Sequence, residues 1–179
     1  MFNVFNKFSY QLSRGPIKKV RLFFNDLKCC RQRIKRGFSD YDVREFAGWF
    51  ENVVPDMLRQ YAQRSFGYPE SYEKKFYEKH KDEIGEPYRL FICFRKNDPV
   101  HEKWTRRCNK VCENSWKKTV RKIAFLFDEA NEDRCSRQNP YEYGDPRHEK
   151  VDEKLYEYRK KCRKKAFDLL NVYFYDIWY

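Results

Sequence analysis

From Val100 to Ala130 the residues Trp104, Cys108, Val111, Cys112, Trp116, Thr119, Val120, Ile123, Phe127 and Ala130 recur in steps of three and four. That period belongs to an α-helix and not to the alternation of a strand. A chain carrying such a stretch has to build its core around one long amphipathic helix. The same spacing recurs elsewhere. Ile17, Val20, Phe24, Leu27 and Ile34 predict a helix from Pro16 to Lys35, closed by Gly37. Ser39 followed by Asp42 reads as a capping box that opens a second helix. Its apolar face is Val43, Phe46, Phe50, Val53, Val54, Met57, Leu58 and Tyr61, with a kink expected at Pro55 and an end at Gly67-Tyr-Pro69. The last helix runs from about His148 to Trp178 on Val151, Leu155, Tyr158, Cys162, Ala166, Leu169, Tyr173 and Ile177.

With only 6 Gly and 7 Pro in 179 residues, long helices are favoured over many short strands. The expected fold is all-α, an irregular bundle of four long amphipathic helices in a single domain, 1–179. Ser71 to Lys81 is helix-permissive, and Tyr88 to Arg95 is short and aromatic. A small extra element is therefore expected near 84–96, either strand or helical turn. Asn139-Pro-Tyr and Gly144-Asp-Pro146 mark residues 131–148 as a mobile polar loop.

Leu, Ile, Val and Phe supply more than a fifth of the chain, above the level at which high charge implies disorder. No stretch approaches the roughly 18 consecutive apolar residues of a membrane span. The first residues, Met1-Phe-Asn-Val-Phe-Asn-Lys7, lack the basic and apolar regions of a secretory signal. A soluble cytoplasmic protein with no membrane partner is expected. Seven Cys is an odd number in a chain too large to need disulfide staples, and the reading is reduced core thiols. Cys108 and Cys112, four apart, invite zinc with His101 or Cys135, but this spacing is weak against buried thiols. No metal and no cofactor are expected. His80, His101 and His148 have no nucleophile beside them in any recognisable motif.

Two candidate sites follow. Arg33, Arg36, Ser39, Asp40, Asp42 and Arg44 converge on the junction between the first two helices, where free N–H groups and arginines suit a phosphate or carboxylate ligand. The plainer reading is capping with Arg–Asp pairs that fix the turn, and the carboxylates favour it. The second candidate follows from charge. Lys and Arg number 39 against 27 Asp and Glu, a net +12. Nine cations between Arg14 and Arg36 face Asp26 alone, and basic runs recur at Lys103 to Lys122 and Arg159 to Lys165. Lys18, Arg21, Lys28, Arg31, Lys161 and Lys165 are the residues expected to form an anion-binding surface. The aromatic tail Tyr173 to Tyr179 docks into a partner, closes a homodimer, or packs on its own bundle.

Arg36-Gly-Phe-Ser-Asp-Tyr-Asp-Val43, Trp49-Phe50, Pro55-Asp-Met-Leu58 and Gly67-Tyr-Pro69 resemble a family of small uncharacterised proteins encoded by tailed bacteriophages. The resemblance continues at Trp116, Phe127, Ala166-Phe-Asp-Leu-Leu170 and Tyr173-Phe-Tyr-Asp-Ile-Trp178, spanning roughly residues 33 to 179. Arg44 stands where such proteins usually carry Trp, and the segment around 72–99 is particular to this chain. The resemblance implies a phage product in the host cytoplasm and no reaction. The first functional expectation is a non-enzymatic protein that binds a host protein or an anionic, nucleotide-type ligand, in one version as an inhibitor of host defence. The alternative is sequence-indifferent nucleic-acid binding. The third is a metal-dependent enzyme using Asp40 and Asp42.

Overall fold

A computed structural model of the chain describes residues 16–84 and 99–178. The regular elements among these residues are all helical, with no strand: α1 (Pro16–Arg36), α2 (Asp40–Arg44), α3 (Phe46–Arg64), α4 (Glu70–Ile84), α5 (Pro99–Ala130) and α6 (His148–Tyr173), then a 3₁₀ turn, Tyr175–Trp178. The element expected near 84–96 lies, beyond Ile84, outside the described residues.

Three expectations are corrected. The helix expected to start at Ser39 is two helices, because Glu45 leaves the helical region at φ −106° and ψ 40°. Its carbonyl then accepts the Trp49 N–H at 2.8 Å, so α3 starts a fresh ladder. The apolar spacing passes straight through this break and gives no sign of it. The second correction is α4, a full helix of 15 residues that brings the described helices to six in place of four. The third is the C-terminus, where the α-helix ends at Tyr173 and the chain tightens into the 3₁₀ turn.

Where the length reads as one domain, the chain divides into two compact units, parted between Phe50 and Glu51. In the first unit, α1 ends at Gly37, whose φ of +82° suits glycine, with its N–H bonded to the Arg33 carbonyl at 2.9 Å. Ser39 then caps α2. On α1 the apolar residues Val20, Phe23, Phe24, Leu27 and Ile34 are exposed.

The second unit has the hydrophobic core. Helix α5 is its axis: Cys108, Cys112, Trp116, Val120, Ile123, Ala124, Phe127 and Ala130 are all buried. Leu58 and Ala62 of α3, Phe76 and Tyr77 of α4, and Leu155, Cys162 and Ala166 of α6 complete it. Trp116 is ringed edge-on by Tyr61, Tyr72 and Tyr173 at centroid distances of 6.4, 5.8 and 5.4 Å. The tyrosine hydroxyls are satisfied in turn, Tyr72 with Thr119 at 2.6 Å and Tyr61 donating to the Asp176 carbonyl at 3.2 Å. Pro55 lies buried inside α3 and withholds an N–H from the Glu51 carbonyl.

Candidate functional site

The α1–α2 junction brings together five of its six expected residues. Arg33 grips Asp42 with both arms, Nε to Oδ2 at 2.8 Å and a terminal nitrogen to Oδ1 at 2.5 Å. Asp42 also accepts the Ser39 N–H at 2.8 Å, while its own N–H donates to Ser39 Oγ at 3.2 Å, which closes the capping box. Asp40 is held by Arg36 and accepts from the Gln32 amide at 2.6 Å. Arg36 Nε donates to the Phe38 carbonyl at 3.0 Å. Arg44 is exposed and makes none of these bonds.

The hydrogen bonds of Arg33 pull the Asp42 carboxyl down to about 2, against the upward push of burial, with Ser39 adding to the fall. Every polar group that faces inward is therefore matched by a partner from the junction itself. Ser39 and Asp42 are buried. An anion arriving here has to displace carboxylates from the arginines, and a divalent cation reaching Asp40 and Asp42 has to displace the arginines. The arrangement fixes a turn.

A second polar cluster has no signal in the sequence. Glu129 is 2% exposed at the end of α5. It accepts from the Tyr158 hydroxyl at 2.8 Å, the Ser136 N–H at 3.0 Å, the Ser136 hydroxyl at 2.9 Å and the Cys135 thiol at 3.7 Å. Burial pushes this carboxyl up, yet the donors outweigh it and hold it below its ordinary value. Nearby, Arg134 bridges Asp56 and Asp128 at 3.1 Å each, and Arg59 reaches the same two carboxylates. These pairs tie α3, the end of α5 and the following segment together. The segment 131–147 is non-helical, and Asn131 and Cys135 within it are buried. Its backbone is pinned where Asn131 Oδ1 accepts the Asp133 and Arg134 N–H groups at 2.9 and 3.3 Å.

Of the seven thiols expected in the core, Cys108, Cys112, Cys135 and Cys162 are buried there, Cys29 and Cys30 are only half-buried on α1, and Cys93 lies outside the described residues. Cys108 and Cys112 are buried with sulfurs 3.7 Å apart, and Cys108 lies 3.8 Å from the Tyr68 hydroxyl. Burial, then Cys108, pushes the Cys112 thiol up to about 12. Cys135 is engaged with Glu129 instead. Among the described residues no three His, Cys, Asp or Glu side chains gather as a metal site would require. The His80 ring packs on Phe76 and contacts the Phe76 carbonyl at 2.8 Å. In the aromatic tail, Tyr173 and Ile177 turn inward, while Phe174 and Tyr175 are exposed.

What stays turned to solvent is positive charge. Lys28 and Arg31 are exposed on α1, and Lys161 and Lys165 on α6. The side chains of Lys18 and Arg21 lie outside the described residues. On α6 cations alternate with acids only as far as Glu157. In the run from Arg159 to Lys165, Arg159 reaches Glu132 and Asp152, Lys160 pairs with Glu157 at 3.5 Å and Arg163 with Glu51 at 2.9 Å, and Lys161, Lys164 and Lys165 form a short exposed cluster. Helix α5 differs. Lys103, Arg107, Lys110, Asn114, Lys118, Arg121 and Lys122 follow at steps of one, three and four, all exposed, with no acid of α5 within the row and Glu102 at its edge. The acids of α5 are occupied elsewhere: Glu102 by Arg106 at 2.8 Å, Glu113 by Lys117, Asp128 by Arg59 and Arg134, and Glu129 in the interior. Arg107 lies over the Trp104 ring at 4.9 Å and 3.8 Å from Glu83. For the other five cations no carboxylate lies within ion-pair distance among the described residues. Along Glu102, Lys103, Arg106, Arg107 and Lys110 runs an open depression of about 430 Å³. The basic run was visible in the sequence. The neutralisation of its acids was not, because it depends on which carboxylates find partners.

No helix among the described residues is long and apolar enough to cross a membrane. Comparison with protein-family models, with curated proteins and with solved structures finds no match for this chain.

Proposed function

We propose that this is a phage-encoded, non-enzymatic binding protein that works inside the bacterial host and captures an anionic partner on the outer face of α5. The observation that carries the reading is the row of six exposed cations on that face, while the acids of the same helix are each paired with a basic neighbour or buried. Exposed charge of one sign raises the local concentration of the opposite sign. The phage and host parts rest on the resemblance of the Arg36–Val43 and Gly67–Pro69 motifs, and a role in blunting host defence follows from the same source.

The experiment is fluorescence anisotropy with labelled heparin, a generic polyanion, at about 50 mM salt. The expected result is saturable binding that falls at least about tenfold when Lys110→Glu and Lys118→Glu are combined. Binding unchanged in that variant would move the site off α5 and sink the reading.

A further inference from the structure

We infer that the α5 row takes an extended phosphodiester backbone, so that the anionic partner is a nucleic acid held by charge and not by sequence. The inference rests on the anion-binding reading and names its ligand. At 1.5 Å per residue, Lys103 to Lys122 spans about 28 Å of straight helix. A duplex rises about 3.4 Å per base pair, so the row is as long as about eight base-pair steps and can meet several phosphates. Lys103, Arg107, Lys110, Lys118, Arg121 and Lys122 are distributed along the whole of that length.

A mononucleotide fits this geometry less well. The depression at Lys103 to Lys110 has room for one. Lys118 and Lys122 stand about 12 and 18 Å further along the axis, where a small ligand leaves them idle. An acidic protein also fits less well. Interface cores are depleted in Lys, whereas four of these six cations are Lys, and the large apolar side chains exposed beside them are Val111 within the row and Phe125 past its end. A lysine serves a phosphate as a point charge and needs no further geometry. Phosphate contacts fix position along the strand and carry no base information. Phe125 is exposed just beyond Lys122 and the half-buried Trp104 ring carries the Arg107 guanidinium, but between Lys110 and Lys122 no exposed aromatic is interleaved with the cations to read a base.

The test is anisotropy with labelled DNA of about 20 nucleotides, as duplex and as single strand, in two unrelated sequences, over about 50 to 200 mM salt. ATP competes in parallel. Six engaged cations predict a slope of log K on log salt near −5 for duplex, a loss of about 10³-fold across that range. Lys118→Gln with Lys122→Gln, both exposed and far from the depression, should reduce the slope by about two while leaving the far-ultraviolet spectrum unchanged. A single strand bound in preference to duplex supports the inference with a flexible backbone as ligand. Heparin binding with a DNA slope near −2 that the Lys118 and Lys122 changes do not move overturns it and leaves the anion-binding reading standing. Preferential displacement by ATP has the same effect. Failure of every anion to bind removes both.

Discussion

Asp42 is the residue on which the first unit turns, since it is buried, ionised and bonded to both Arg33 and Ser39. Its folded value of about 2 lies below the ordinary 3.8. The charged form is thus favoured by folding, by about 2 kcal/mol when both states are ionised. That contribution is fully present above about pH 4 and is lost as pH falls through 4 towards 2. Acid titration of wild type against Asp42→Asn, followed by far-ultraviolet ellipticity, should show the wild type losing this margin in that window and the variant lacking it throughout. Equal acid sensitivity of the two proteins would contradict the assignment. Glu129 makes the complementary case in the core. The Ser136 N–H meets Oε1 and the Ser136 and Tyr158 hydroxyls and the Cys135 thiol meet Oε2, so Glu129→Gln loses the charge that strengthens these bonds and makes the hydroxyls turn to accept, a cost of about 1–3 kcal/mol. Chemical denaturation should show that loss with an unchanged slope, whereas a variant as stable as the parent would mean the hydroxyls turn without cost.

At the scale of elements, local signals were legible and long-range ones were not. The capping box at Ser39 and Asp42 spans three residues, and Gly37 ends α1 by its own backbone freedom, so the sequence pattern suffices for both. The period of α5 was equally plain, because one face of that helix is buried from Cys108 to Ala130. The break at Glu45 was hidden because apolar residues keep helical spacing across it. Glu129 was hidden for another reason: its partners Ser136 and Tyr158 lie 7 and 29 residues away and meet only when α5, the following segment and α6 pack. At the junction the sequence supplied the right residues and left two readings open, and the bidentate Arg33–Asp42 bond favours a fixed turn. Gly37→Ala isolates one such local signal. No heavy atom lies within 4 Å of an added Cβ there, so the cost is backbone strain alone, about 1 kcal/mol after the gain from a stiffer unfolded chain. A thermal melt showing no change would mean that Gly37 is not held at positive φ.

For the whole molecule, the contrast between the two units is one of what is buried. The described buried apolar side chains all belong to the second unit, and the first holds its turn through Ser39, Asp42 and the arginines. Protection should follow burial. Native-state hydrogen exchange is expected to find amides of α5 between Trp116 and Phe127 opening only with global unfolding, and amides of α1 exchanging far sooner. Equal protection in the two helices would show that α1 is covered in solution.

The free sulfurs follow the same division. Cys29 and Cys30 are half-buried on α1, while Cys108, Cys112, Cys135 and Cys162 are buried. Alkylation needs thiolate and access, and Cys112, pushed up to about 12, has little of the first while folded. Of these six thiols, a maleimide added to the native protein should therefore mark the α1 pair quickly and the interior four only as often as the core lets go, Cys93 lying outside the described residues. The mass ladder it leaves would time those excursions one molecule at a time, without any engineered label.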